Sequence, residues 1–162
     1  MTVAWRLWVL VLTALAATIT VYGMHAGMSG AWWPIAALWL TTTLASFGLS
    51  IWVAGNLILL GLVMDYMGDA PIGAWPLALL AAYAVALIAW DRQPPIRVIG
   101  AEIISLLGGF IVVSLALTIA ASVAGHPGFA RNALTGDFIM TALLYPVVRF
   151  LILPASIRVA RR

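Results

Sequence analysis

A chain of 162 residues with 65% apolar and 8% charged side chains carries too much hydrocarbon for a water-soluble domain, which averages about 45–50% apolar and 25% charged. Its eight cations are all Arg, set against five acids for a net charge of +3. They sit at the ends of apolar runs rather than along one face, which excludes a nucleic-acid-binding surface.

The absence of cysteine excludes disulfides, thiol nucleophiles and thiolate metal sites. The expected class is therefore an all-α membrane protein, a single domain with little mass outside the bilayer. A hydrocarbon core of about 30 Å takes about 20 helical residues to cross.

The first apolar segment, Trp5–Met24, is longer than the core of a signal peptide and is expected to be a retained span. The second and third, Trp32–Phe47 and Ile51–Asp65, are short. They read either as tilted helices in a thin bilayer or as a re-entrant pair shielded by protein. Ile72–Trp90, Arg97–Ala124 and Leu134–Ile157 complete a predicted bundle of six spans, separated by turn-rich stretches such as Gly68-Asp69-Ala70-Pro71 and Gly125-His126-Pro127-Gly128.

With six crossings, Arg6, Arg92, Arg97 and the Arg158, Arg161, Arg162 tail fall on one side. Arg131 falls on the other with Asp65, Asp69 and Asp137. The positive-inside rule then puts both termini in the cytoplasm. Trp5, Trp8, Trp52 and Trp90 fall at inner ends and Trp32, Trp33 and Trp75 at outer ends, as interfacial belts require; Trp39 lands mid-span, where packing accounts for it.

Small residues recur every fourth position at Ala78, Ala82, Ala86, at Ala37, Thr41, Ala45 and at Ser114, Thr118, Ser122. Each stripe is expected to pack helix on helix. Self-association into a homodimer, or a face for another membrane protein, stays open. Pro34 and Pro76 belong in first turns, where a missing N–H is harmless; Pro146 is interior and expected to bend span six.

No catalytic, cofactor or metal set can be drawn. His25 and His126 lie in separate loops without ligand spacing, and no G-x-S-x-G, Walker A or H-E-x-x-H is present. The expectation is a protein that is not an enzyme and needs no cofactor. Charges within spans are the default functional candidates. Glu102 and Arg149 lie at similar depth near the cytoplasmic side, so they either pair or Arg149 snorkels alone to the headgroups. Asp65 closes span three. Asp69 is nearer the start of span four and is expected to cap it, which leaves Asp65 to find outer backbone N–H groups or a polar residue on a neighbouring span.

The pattern Gly61-x3-Asp65-x7-Gly73, enclosing Pro71, follows a short span led by Pro34 and precedes an Ala/Leu-rich one. It resembles the rod shape-determining MreD family. The likeness extends to chain size, the six-span plan, and the Leu143-Leu144-Tyr145-Pro146 run ahead of a basic tail. One departure is the Ile35-Ala36 that follows Pro34, where relatives commonly carry a polar or acidic residue.

The resemblance implies a non-catalytic scaffold in the bacterial inner membrane. Such a scaffold binds MreC and works beside MreB, a RodA-type polymerase and its transpeptidase in peptidoglycan synthesis, surrounded by membrane lipids. That family is also thought to look like the substrate-binding subunits of ECF-type vitamin transporters. This rival implies an outward-facing polar pocket, for which only Asp65, Asp69 and Asn56 stand out.

Overall fold

The computed structural model describes residues 3–25, 35–67, 71–91, 98–125 and 137–149. Within them the chain is helical throughout. The helices are α1 (Val3–His25), α2 (Ala36–Ala45), α3 (Ile51–Met67), α4 (Ala74–Asp91), α5 (Val98–Val123) and α6 (residues 137–149). An apolar segment in lipid has no water to satisfy its backbone, so the helix, which pairs its N–H and C=O groups internally, is the state these sequences must take.

Val3–Thr20, Ala74–Asp91 and Ile99–Val123 are each long and apolar enough to cross a membrane, as expected of a membrane protein. The 10 residues of α2 span only about 15 Å and the 17 of α3 about 25 Å. Neither matches a hydrocarbon core of about 30 Å. Pro34 lies outside the described residues, as do Asp69, His126 and the Arg158–Arg162 tail.

Helix α2 is the hub. All ten of its residues are buried, packed among α1, α3, α4 and α5. It is tied to α6 by two hydrogen bonds to one residue: the Ile35 N–H donates to Thr141 Oγ1 (2.7 Å) and Trp39 Nε1 donates to the Thr141 carbonyl (2.9 Å). Trp39 is therefore anchored through its indole N–H as well as packed.

Successive helices run antiparallel. Trp5 of α1 meets Phe47, just past α2, with ring centroids 4.7 Å apart. On α4, Val85 lies against Gly108 of α5. Phe110 of α5 stacks on Phe138 of α6 at 4.0 Å.

The turn between α2 and α3 is closed by Gly48 at φ +84°. It is held by Tyr83 of α4, whose hydroxyl donates to the Gly48 carbonyl (3.0 Å) and accepts the Ser50 N–H (3.2 Å).

Two of the three small-residue stripes are internal. Ala78, Ala82 and Ala86 are fully buried, and Ala37, Thr41 and Ala45 nearly so. Close approach of backbones, rather than hydrophobic burial, holds helices together in lipid, and the most extensive helix contact, between α4 and α5, uses the alanine stripe.

The third stripe does not pack as a whole among the described residues: the Ser114 hydroxyl is buried, but the rest of the stripe is not, which leaves the alternative of a face for another membrane protein open. Thr118 and Ser122 are exposed, and their hydroxyls turn back to the carbonyls of Ser114 and Thr118. A hydroxyl that satisfies itself on its own helix needs no neighbour. The aromatic belt is corrected as well. Trp5 and Trp75 lie at helix ends, but they are buried in the protein rather than turned to the interface.

The outer surface is apolar. Leu59, Leu62, Ile111, Leu115 and Ile119 are exposed alongside most of the outer faces of α1 and α4. An area of that kind is stable against acyl chains and a liability in water.

Candidate functional site

The residues singled out by sequence fall into two separate clusters. The first joins α3 to α4. Gly61 faces Pro76, and a Cβ on Gly61 would fall 2.4 Å from the Pro76 nitrogen and 2.6 Å from its Cα. Only a residue without a side chain permits that approach.

One helical turn later, Asp65 is 3% exposed. Its carboxylate accepts the Gly73 N–H at Oδ2 (2.6 Å) and the Trp75 N–H at Oδ1 (2.9 Å).

The backbone of the α4 start can be accounted for group by group. Pro71, Ile72, Gly73 and Ala74 form a turn closed by the Ala74 N–H on the Pro71 carbonyl (3.0 Å). Gly73 is at φ +93°, the value that the third position of a type II turn demands and that favours glycine. The Gly73 and Trp75 N–H groups go to Asp65, and Pro76 has none to place. The Leu77 N–H begins the helix by donating to the Gly73 carbonyl (3.1 Å).

All the donors that a helix start leaves open are thus satisfied. The negative charge sits where the helix dipole is positive. Asp69 lies outside the described residues; the donors it is expected to cap are taken by Asp65, a buried residue of the preceding helix, which finds the backbone N–H partners expected of it. Gly61, Asp65, Pro71 and Gly73 form one rigid corner with Pro76.

The second cluster joins α5 to α6. Arg149 Nε donates to Glu102 Oε1 at 2.5 Å, with the two side chains 32% and 7% exposed. Arg149 is therefore paired, and snorkelling alone does not describe it. Tyr145, one turn before Arg149, is buried beside the pair, and all three line a cleft of about 590 Å³ between the helices. Asn56, the remaining polar candidate, donates from Nδ2 to the Trp52 carbonyl of its own helix (2.8 Å).

Sequence inspection missed three groups that tie helices together. They are Tyr83 on the α2–α3 turn, Thr141 on α2, and Trp90, whose Nε1 donates to the Thr42 carbonyl (3.2 Å). Tyr83 and Trp90 donate to backbone carbonyls, and Thr141 accepts the Ile35 N–H and the Trp39 indole N–H; each partner is far away in sequence, a pairing that leaves no spacing signal.

Neither cluster holds a nucleophile beside a base. Asp65 has both oxygens committed to backbone donors, and Glu102 is committed to a cation. The chemistry these groups support is the fixing of helix geometry. No family model, curated protein or solved structure matches the chain.

Proposed function

We propose that this chain is a non-catalytic scaffold subunit of the bacterial cell-elongation machinery, of the MreD type. It would lie in the inner membrane with six crossings and both termini in the cytoplasm, and bind MreC. The observation that carries the reading is the α3–α4 corner. The residues on which the MreD likeness rests, Gly61, Asp65 and Gly73, act together, and the corner they build is a rigid surface at the end of the bundle opposite the Glu102–Arg149 pair. A chain with so little mass outside its helices recruits partners through such a corner and through helix faces.

The antiparallel succession of helices supports six crossings. Helix α2 is then a short crossing shielded on all sides by protein. Work beside MreB, a RodA-type polymerase and its transpeptidase follows from binding MreC.

Depletion in the host separates this proposal from the carrier alternative. Rounding of rod-shaped cells supports the scaffold, whereas vitamin auxotrophy with normal shape supports an ECF-type substrate-binding subunit. At residue level, Asp65→Ala is expected to stay inserted and detectable, to lose most co-purifying MreC, and to fail to maintain rod shape. Wild-type shape and full recovery of MreC with this variant would remove the corner from the binding surface.

A further inference from the structure

The cleft between α5 and α6 has a composition that no scaffold role requires. Its walls are hydrocarbon: Ile99, Ile103, Leu106 and Leu107 from α5, with Phe138 and Ala142 from α6. Among the described residues its only charged groups are Glu102 and Arg149, gathered at one end. At about 590 Å³ it has the capacity of an ordinary small-molecule site, about 300–1,000 Å³. Small Ala142 is exposed on its wall, so no described side chain covers the groove there.

The charges are not equally presented. Glu102 is 7% exposed and Arg149 32%, so the groove meets the cation while the carboxylate lies behind it. A guanidinium has five N–H donors. Here Nε is spent on Glu102, which fixes the plane of the group and leaves its outer donors for a ligand. A guanidinium held in plane suits the two-point recognition of a phosphate.

The ligand that fits is hydrocarbon along its length and anionic at one end. Among the described residues, a sugar or peptide would find no uncharged polar side chain along the walls beyond Tyr145. We propose that this cleft binds one anionic glycerophospholipid, with an acyl chain along the α5–α6 groove and its phosphate on Arg149. The lipid completes the contact between the two helices on the side open to the bilayer, and Glu102 is the positioning residue that aims Arg149.

The full chain is reconstituted in nanodiscs of equal phosphatidylglycerol and phosphatidylethanolamine, released in the mass spectrometer, and scored for retained lipid. One phosphatidylglycerol is expected to be retained, enriched about fivefold over phosphatidylethanolamine, as one arginine near an anionic headgroup provides. Ala142→Trp fills the groove from an exposed position and is expected to lose the adduct at an unchanged melting temperature. Glu102→Gln with Arg149→Gln removes the charge without stranding a partner and is expected to keep one lipid but abolish the headgroup preference. Equal retention of the two lipids by the unaltered protein would overturn the site. So would full retention by Ala142→Trp, a dimer peak that Ala142→Trp abolishes, or an adduct that appears only after residues 150–162 are removed.

Discussion

Gly61 and Pro76 touch backbone to backbone across α3 and α4, with no room between them for a methyl group. Their contact sets how closely the two helices approach and brings Asp65, one turn further along α3, within reach of the α4 start. Gly61→Ala would force backbone atoms apart, and neither helix has a flexible side chain there to give way. Overpacking of this kind costs typically about 1–3 kcal/mol.

Gly55, on the same helix, is the control, since a Cβ there meets nothing within 4 Å. Gly55→Ala should be neutral or stabilising by about 0.5–1 kcal/mol through helix propensity. Thermal unfolding in detergent should therefore show a clear loss for Gly61→Ala and none for Gly55→Ala. Equal melting temperatures would mean that the helices do not approach as described.

Asp65 invites a graded series. Asp65→Ala leaves the buried Trp75 N–H without an acceptor, at about 1–3 kcal/mol, and the part-buried Gly73 N–H as well, at less because water reaches it. Asp65→Asn keeps one acceptor oxygen and loses the charge at the helix N-terminus, so it should fall between Ala and the native residue. Asp69→Ala should change melting little, because every available donor of the α4 start is already taken. A larger loss from Asp69→Ala than from Asp65→Ala would reassign the cap.

The helices were legible because runs of apolar residues in lipid have one way to satisfy their backbone. The roles within them were not equally so. Asp65 was visible as a charge in an apolar run, but capping rules look for the acceptor directly before the helix. Here Gly73 occupies that position with a left-handed φ, and the carboxylate arrives from the helix before. Nothing local distinguishes Asp65 from Asp69.

The stripes make the same point. Ala78, Ala82, Ala86 and Ser114, Thr118, Ser122 share one spacing, yet the first is wholly buried while Thr118 and Ser122 of the second are exposed. When both protein and lipid are apolar, composition cannot say which face is covered. Glu102 and Arg149 were easier, since two opposite charges at like depth on antiparallel helices have few other partners.

That pair carries a prediction of its own. Removing one partner of a buried pair costs roughly 3–5 kcal/mol. Arg149 is about a third exposed, so solvent takes up part of the loss and each single substitution should cost less than that. Glu102→Gln and Arg149→Gln should each lower the melting temperature, and Glu102→Arg combined with Arg149→Glu should recover part of it. Strictly additive losses in the exchanged protein would show that the two side chains do not depend on each other in the membrane.

The orientation of the bundle is open to direct measurement because the chain has no cysteine of its own, so each introduced thiol is the only one present. The proposed six crossings, with the arginine-rich ends inside, set the expectation site by site. Ser29→Cys, Asp69→Cys and Gly128→Cys should react with an impermeant maleimide added to intact cells whose outer membrane has been opened. Gln93→Cys and Ala160→Cys should react only after the inner membrane is broken.

Gln93 decides most, because it lies between α4 and α5 among the arginines that set the charge bias. If the short α2 and α3 together made a single crossing, α4 would run the other way and Gln93→Cys would label from outside. Protection at Gln93 with labelling at Asp69 requires the chain to cross once between them, along α4. Protection at Ala160 as well, with labelling at Gly128, requires α5 and α6 each to cross, in opposite directions, which agrees with the Glu102–Arg149 contact near the start of one and the end of the other.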